Sequence, residues 1–499
     1  MDAVINHIEF DSFIKDFKLT LQQLFRGKEG TTVSNRDLSA ELMHTILTEN
    51  PLAVAIPEQF GGRGVIAKEC LSLLAAASYE SLSLSLIFGI NIALFLQPVT
   101  KYANEQVKEE IFDRFLQHQN MGGLMITEPA YGSDALNMKT RYTEREEGYH
   151  ITGTKHWQGL TGLANYWLIA CKKETQAGDL SRDIDFFICD NTQPRQHIHV
   201  KEYYDNLGLS LIPYGLNALD LQVPSTYKLQ PQSTGIQMML DILHRSRMQF
   251  PGMAMGFIKR MLDETTSHCT TRKVGAGSLL LMDQIQFQIG RIQSAYTLCS
   301  AMCVRSSRIS GIDQDLASEG LEANSIKTVV TDLMQESAQV LVQLSGSRGY
   351  RTSHIGGSGI IDSRAFQIFE GANEMLYSQI GESIIRMMKK QKQENLFEFL
   401  KDFPPTALAC LYFKKELSFQ LHCTLSQRKQ VELGKILARI ICMGYVIDLG
   451  EDGFRKELAE NCLRMVQQEV SALFCSFRFE NKVKAVEEYS DESSWMNFV

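Results

Sequence analysis

The apolar period of the chain changes twice, and this pattern restricts the fold more than any other feature. Residues 1 to about 120 repeat apolar side chains at helical spacing, as in Leu38, Leu42, Ile46 and Leu47, and in Val107, Ile111 and Phe115. From about 121 to 230 short β-prone runs alternate with turn residues. These runs are Tyr149–Gly153, Tyr166–Cys171, Asp185–Cys189, His197–Val200 and Ala218–Val223. From about 231 to 390 the helical period returns in Met238–Glu264, Leu279–Ile309 and Leu321–Leu344. Gly-rich breaks separate or end these stretches at Val274–Gly277, Ser345–Gly349 and Ile355–Gly359. The pattern predicts a multidomain α+β protein. Its expected parts are an N-terminal helical domain (1–120), a central antiparallel β-barrel or sandwich (121–230), a C-terminal helical domain (231–390) and an extra helical segment (391–499). The last part begins at a charged linker with Pro404 and Pro405 beyond it, carries helical patterns over Val431–Val446 and Phe454–Phe477, and ends in an acidic, frayed tail.

The longest apolar run, Ser81–Leu96, is shorter than a bilayer needs, follows Glu80 and is interrupted by Asn91, so it reads as a buried core helix. A net charge of −8 and a pI near 5.8 argue against nucleic acid as a partner. Eleven scattered cysteines without a C-x-x-C read as reduced apolar residues of a cytoplasmic protein, with no metal site. The N-terminus lacks the pattern of a signal or transit peptide, and the last residues are not a peroxisomal address. No P-loop, strand-linked G-x-G-x-x-G, H-E-x-x-H or G-x-S-x-G occurs.

Four blocks carry candidate chemistry. Met125-Ile-Thr-Glu-Pro-Ala-Tyr-Gly-Ser-Asp134 places hydroxyls and backbone N–H groups in one turn-rich loop. Such a loop serves either to ring a heterocycle or simply to make a turn. Gly153-Thr-Lys-His-Trp157 offers an indole, for the core or for stacking on a flat ligand. Gln343–Tyr350 forms the third block. In the fourth, Phe366–Glu374, Glu370 follows an apolar run, so it is either a solvated helix-end residue or a partly desolvated base.

In combination these blocks resemble the acyl-CoA dehydrogenase family over roughly residues 10–390. The family's T-E-P-x-x-G-S-D is present at Thr127–Asp134 and its G-x-K-x-W at Gly153–Trp157. I-P-E-x-x-G-G-x-G stands at Ile56–Gly64 and Q-x-x-G-x-x-G-[YF] at Gln343–Tyr350. The Glu-Gly pair 370–371 has the spacing of the medium-chain enzymes. The resemblance implies a four-helix bundle for the C-terminal domain, FAD as cofactor, and α,β-dehydrogenation of an acyl thioester in a homodimer or homotetramer. By the same resemblance Glu370 is the base, with Arg247 beside it, and its own N–H helps to hold the thioester oxygen. Thr127, Gly132, Ser133, Trp157, Gln158, Gly159, Ala372 and Glu374 are implied at the flavin. Arg272, Gln284, Gln343 and Gly346 are implied for FAD at a subunit interface, and Ser133, His244, Arg247 and Gly371 for substrate. An electron-transfer partner is expected as well.

The chain also departs from the pattern. Gln158-Gly159 stands where the family has an apolar residue followed by a hydroxyl residue, and Ala372 replaces another hydroxyl. The stretch Arg272–Gly277 lacks a Phe, and Ser246 occupies the alternative position of the base. The same chemistry on an acyl group tethered to a carrier protein stays open at this level. So do an oxidase using O2 and a weakened homologue acting as a binding partner.

Overall fold

The computed structural model describes residues 2–26, 40–421, 425–480 and 483–499, without the side chains of residues 2–8 and 40. The N-terminal part is helical: α1 (Asp2–Arg26), α2 (Ala40–Thr48), α3 (Ala67–Glu80), α4 (Leu82–Asn91), α5 (Gln97–Tyr102) and α6 (Glu105–Gln117). Of the first helical repeat, Ile46 and Leu47 are buried on α2, while Leu38 lies outside the described residues. The apolar run is a core rod, buried almost throughout over Leu82–Tyr102. Ser81 caps it by accepting the N–H of Leu84. The rod widens into a π turn over Ile92–Leu96. Pro98 has no N–H, and its ring would meet the carbonyl four residues back, so the helical ladder loosens there. Beside the turn, the Asn91 amide donates to Ile87 O and accepts the N–H of Gly122, which ties the rod to the first strand.

The strands are β1 (Gly122–Met125), β2 (Arg141–Arg145), β3 (Gly148–His156), β4 (Tyr166–Lys173), β5 (Asp185–Asp190), β6 (His199–Tyr203) and β7 (Gly215–Pro224). They form one seven-stranded sheet in the order β1-β4-β2-β3-β7-β6, with β5 on β4. Pairs β2–β3, β3–β7, β6–β7 and β4–β5 are antiparallel. The expectation of a wholly antiparallel sheet needs correction at β4, because β1 and β2 both run parallel to it. They follow one another along the same side of β4, at 166–169 and then 172–173, so residues 126–140 are an excursion between two strands that share one neighbour. Sequence periodicity misses β1 because two of its four residues are glycines. A Cβ at Gly122 would meet the Phe95 ring at 2.3 Å, and one at Gly123 the Trp167 ring at 2.6 Å.

The C-terminal domain comprises α7 (Gly235–Arg247), α8 (Phe250–Thr271), a hairpin of β8 (Lys273–Val274) and β9 (Gly277–Ser278), α9 (Asp283–Ile309), α10 (Gly320–Ser345), α11 (Ile355–Arg364) and α12 (Asn373–Lys390). Two expectations are corrected here. The stretch Met238–Glu264 is two helices, with Pro251 in the first turn of the second, where no N–H is required. Ile355–Gly359 is the start of α11 rather than a break, because His354 caps it by accepting the N–H of Gly356. Beyond the bundle lie α13 (Leu396–Asp402), α14 (Lys414–Leu417), α15 (Gln427–Glu451) and α16 (Lys456–Arg478). Helix α15 packs on α12, α10 and α9, and α16 covers α9. The extra segment therefore adds a layer to the bundle.

Candidate active site

A buried ion pair holds the motif loop and the end of β3 together. Lys155 Nζ lies 3.0 Å from Glu128 Oε1 and donates to Ile126 O at 2.8 Å. Glu128 also accepts the backbone N–H groups of Lys139 and Thr140. Burial works against the carboxylate, but Lys155 and these N–H groups outweigh it and hold Glu128 below the usual carboxylate range. Burial pulls the Lys155 ammonium down from its ordinary value against the pull of Glu128. In the sequence Glu128 and Lys155 are only letters of two motifs, and nothing marks them as partners.

This staple positions the turn that leaves β3. Trp157 opens that turn with a left-handed φ of 60° and remains 52% exposed. Its ring lies 4.6 Å from Tyr204 and 6.0 Å from Tyr214, centroid to centroid. It is a supported, open aromatic platform and not part of the core. Thr127 is half-buried next to it, and Gly132 and Ser133 are exposed in the excursion. Gln158 turns inward, donating to Thr127 O and accepting from Asn217. At Gly159 a Cβ would stand 2.8 Å from Ile90 Cδ1 and 3.2 Å from Ile212 Cγ2. The space of the absent hydroxyl residue is thus filled from the apolar rod and from the loop before β7. Gly159→Thr should cost about 1–3 kcal/mol through overpacking. The double change with Ile90→Ala should recover most of that loss in a urea denaturation series.

The second half of the site surrounds Glu370. Phe366, Phe369 and Phe250 pack as an aromatic cluster, with ring centroids 4.9–6.0 Å apart. The chain then passes through two left-handed residues, Glu370 at φ 52° and Gly371 at φ 95°, before α12 begins. Such strain in a non-glycine residue persists only where neighbours over-determine it. Here Arg247 donates to Glu370 O through Nε (3.1 Å) and Nη2 (2.8 Å), and to Asn324 through Nη1. Lys327 Nζ donates to Gly371 O and to Asn373 Oδ1, both at 2.8 Å. Ser246 Oγ donates to Glu370 Oε1 at 2.7 Å, while Oε2 is buried with no partner among the described residues. Burial raises the Glu370 carboxyl above its ordinary value, against Ser246, Arg247 and Lys327. The solvated reading of Glu370 does not describe this environment. Burial and the charge of Arg247 bring Lys327 down to about 7. The only sequence trace of Lys327 is a cation within the apolar period of Leu321–Leu344.

The remaining candidates fall elsewhere. His244 is buried, with Nδ1 2.7 Å from Leu316 O and its ring against Gly320, and burial pulls it down to about 4. Its neutral imidazole is committed to that loop. Glu374 is exposed in the first turn of α12, and Ala372 precedes that turn half-buried. Arg272, Gln284, Gln343 and Gly346 are all exposed. The ion pairs Arg291–Glu336 and Arg305–Glu322 set α9 and α10 antiparallel, with Gln284 level with Gln343. That end of the bundle is about 24 Å along α10 from Lys327. One chain does not bring these residues to Glu370.

The donor set suits a flat, polar-edged cofactor. The open indole, the exposed Gly132–Ser133 turn and the free Glu370 Oε2 are the observations that fit such a group.

Three family models match the chain: "Acyl-CoA dehydrogenase, N-terminal domain" over 29–119, "middle domain" over 123–220 and "C-terminal domain" over 233–385. The short-chain specific acyl-CoA dehydrogenase of Mus musculus mitochondria is 23% identical over 339 residues, which cover 67% of this chain and 80% of that protein. The FAD complex of an acyl-CoA dehydrogenase from Bacillus anthracis superposes with a TM-score of 0.77 at 16% identity, covering 94% of this chain and 89% of its own. The fold likeness thus extends into the extra helical segment. The prolyl acyl carrier protein oxidase AnaB superposes with a TM-score of 0.66 at 16% identity, covering 75% of this chain and 98% of its own.

Proposed function

This chain belongs to the acyl-CoA dehydrogenase family of FAD-dependent oxidoreductases, and on that premise we propose that it removes hydrogen from Cα and Cβ of an acyl thioester, with Glu370 taking the α-proton. The observation that carries this reading is the Glu370 carboxylate itself: raised in pKa, held through Oε1 by Ser246, and free at Oε2. Oε2 is the atom that receives the proton. Arg247 and Lys327, by gripping the carbonyls of residues 370 and 371, keep the carboxylate aimed while the α-carbon approaches over Gly371. An α-C–H next to a thioester is a weak acid, so the developing negative charge on the thioester oxygen needs a donor in a dry site. Among the described residues no acceptor takes the N–H of Glu370, which suits it to that task. Thr127, Ser133 and Trp157 would hold FAD on the β-domain side. When bound, FAD supplies the two-electron acceptor for the β-hydrogen.

A homodimer fits the distribution of the other candidates. Arg272, Gln284 and Gln343 share one bundle end with exposed Leu281 and Met282, a surface suited to a second subunit. An electron-transfer partner would reoxidise the flavin.

The test is an anaerobic visible spectrum of the FAD-loaded protein during titration with butyryl-CoA and longer acyl-CoAs. Bleaching of the flavin bands by one chain length is the expected result. Bleaching only by the same acyl groups on an acyl carrier protein would move the substrate to the carrier-bound class. A protein that neither carries nor takes up FAD would overturn the proposal.

A further inference from the structure

The extra helical segment reaches the Glu370 loop through a continuous run of buried and part-buried hydrogen bonds. Its centre is Asp332 on α10. Asp332 Oδ1 accepts from Gln367 at 2.7 Å and from Asn373 at 2.8 Å. These two residues bracket Glu370, so one carboxylate pins both ends of the loop. Asp332 Oδ2 accepts the Tyr377 hydroxyl at 2.7 Å and lies 3.4 Å from Arg439 Nη2. Arg439 belongs to α15 of the extra segment, is buried, and donates through Nη1 to Tyr377 Oη at 2.7 Å. Its Nε meets Glu469 of α16. From Asn373 the run continues to Lys327 and then to Gly371 O.

A carboxylate that accepts this many bonds in a poorly solvated place needs a countercharge, and Arg439 is the guanidinium bonded to it. We propose that Arg439 and Asp332 are positioning residues: the extra segment supplies the charge that holds Asp332, and Asp332 holds the loop that presents Glu370. The proposal rests on the reading of Glu370 as the base. Residues 391–499 would then set the geometry of the reaction centre as well as covering the bundle.

The experiment uses the full-length FAD-loaded chain and the variants Arg439→Met, Arg439→Lys, Asp332→Asn and Tyr377→Phe. One readout is amide hydrogen exchange of the segment 366–374; the other is the anaerobic bleaching rate with butyryl-CoA as probe. In Asp332→Asn and Arg439→Met, exchange of 366–374 should quicken by about tenfold or more, because a buried partner is lost. Bleaching should slow by about tenfold or more while half-saturation stays within about twofold, as for a misplaced catalytic group. Arg439→Lys should recover part of both. Tyr377→Phe keeps the ring and tests the same link if Arg439→Met does not fold. Unchanged exchange and bleaching in Asp332→Asn and Tyr377→Phe, with only a lower melting temperature, would overturn the proposal. Quickened exchange with a Glu370→Gln protein that still bleaches would instead retain the pinned loop and remove Glu370 as the base.

Discussion

Glu370→Gln should leave FAD bound and slow flavin bleaching by an acyl thioester by about 10²–10⁴-fold, the range of a lost general base. The change is nearly isosteric, and the amide oxygen can still accept from Ser246 Oγ, so folding should be little affected. What disappears is proton affinity at Oε2, the atom with no partner among the described residues. The pH profile provides a second check. Burial raises the folded pKa of Glu370, against Ser246, Arg247 and Lys327. The base is active only as carboxylate, so bleaching should fall as pH drops through a value above the ordinary carboxylate range. Ser246→Ala removes one of the groups that pull the pKa down, and the acid limb should move further upward. A Glu370→Gln protein bleaching at the wild-type rate would remove Glu370 from its role.

Glu128→Ala should cost about 3–5 kcal/mol, the usual penalty for breaking a buried ion pair from one side, because Lys155 would be left enclosed without its partner. The loss extends beyond stability. Glu128 and Lys155 hold Thr127 at the loop and Trp157 at the strand end, so the variant should also release FAD on gel filtration. Denaturation of the variant and of the double change Glu128→Ala with Lys155→Met should show less than additive losses, since the double change leaves no orphaned charge. The folded pKa of Glu128 is depressed. Its contribution is therefore fully present above the unfolded value and is lost as pH falls through the folded one. Wild-type stability should drop on the acid side of about pH 4.3, and the variant should show a smaller drop there.

Much of the site was legible in the sequence because its parts are local. Thr127–Asp134, Gly153–Trp157 and the Glu370-Gly371 pair are short strings whose spacing carries the family resemblance. Helices α6 and α16 were legible because each buries one apolar stripe. The parallel pairing on β4 was not, since β1 is half glycine and its glycines answer to Phe95 and Trp167 on other elements. Nor was the helical start at Ile355, where a histidine cap outweighs a glycine-rich composition.

The sequence alone determined the order of the domains, the family and the identity of the proposed base, because periodicity and motif spacing are properties of neighbouring residues. Tertiary structure alone decided what surrounds that base. Ser246, Lys327, Asp332 and Arg439 stand 124, 43, 38 and 69 positions from Glu370 in the chain. No local pattern marks them as partners, because their meeting depends on how α7, α10 and α15 pack. The same holds for Glu128 and Lys155: two letters in separate motifs became a buried ion pair only when the sheet folded them together.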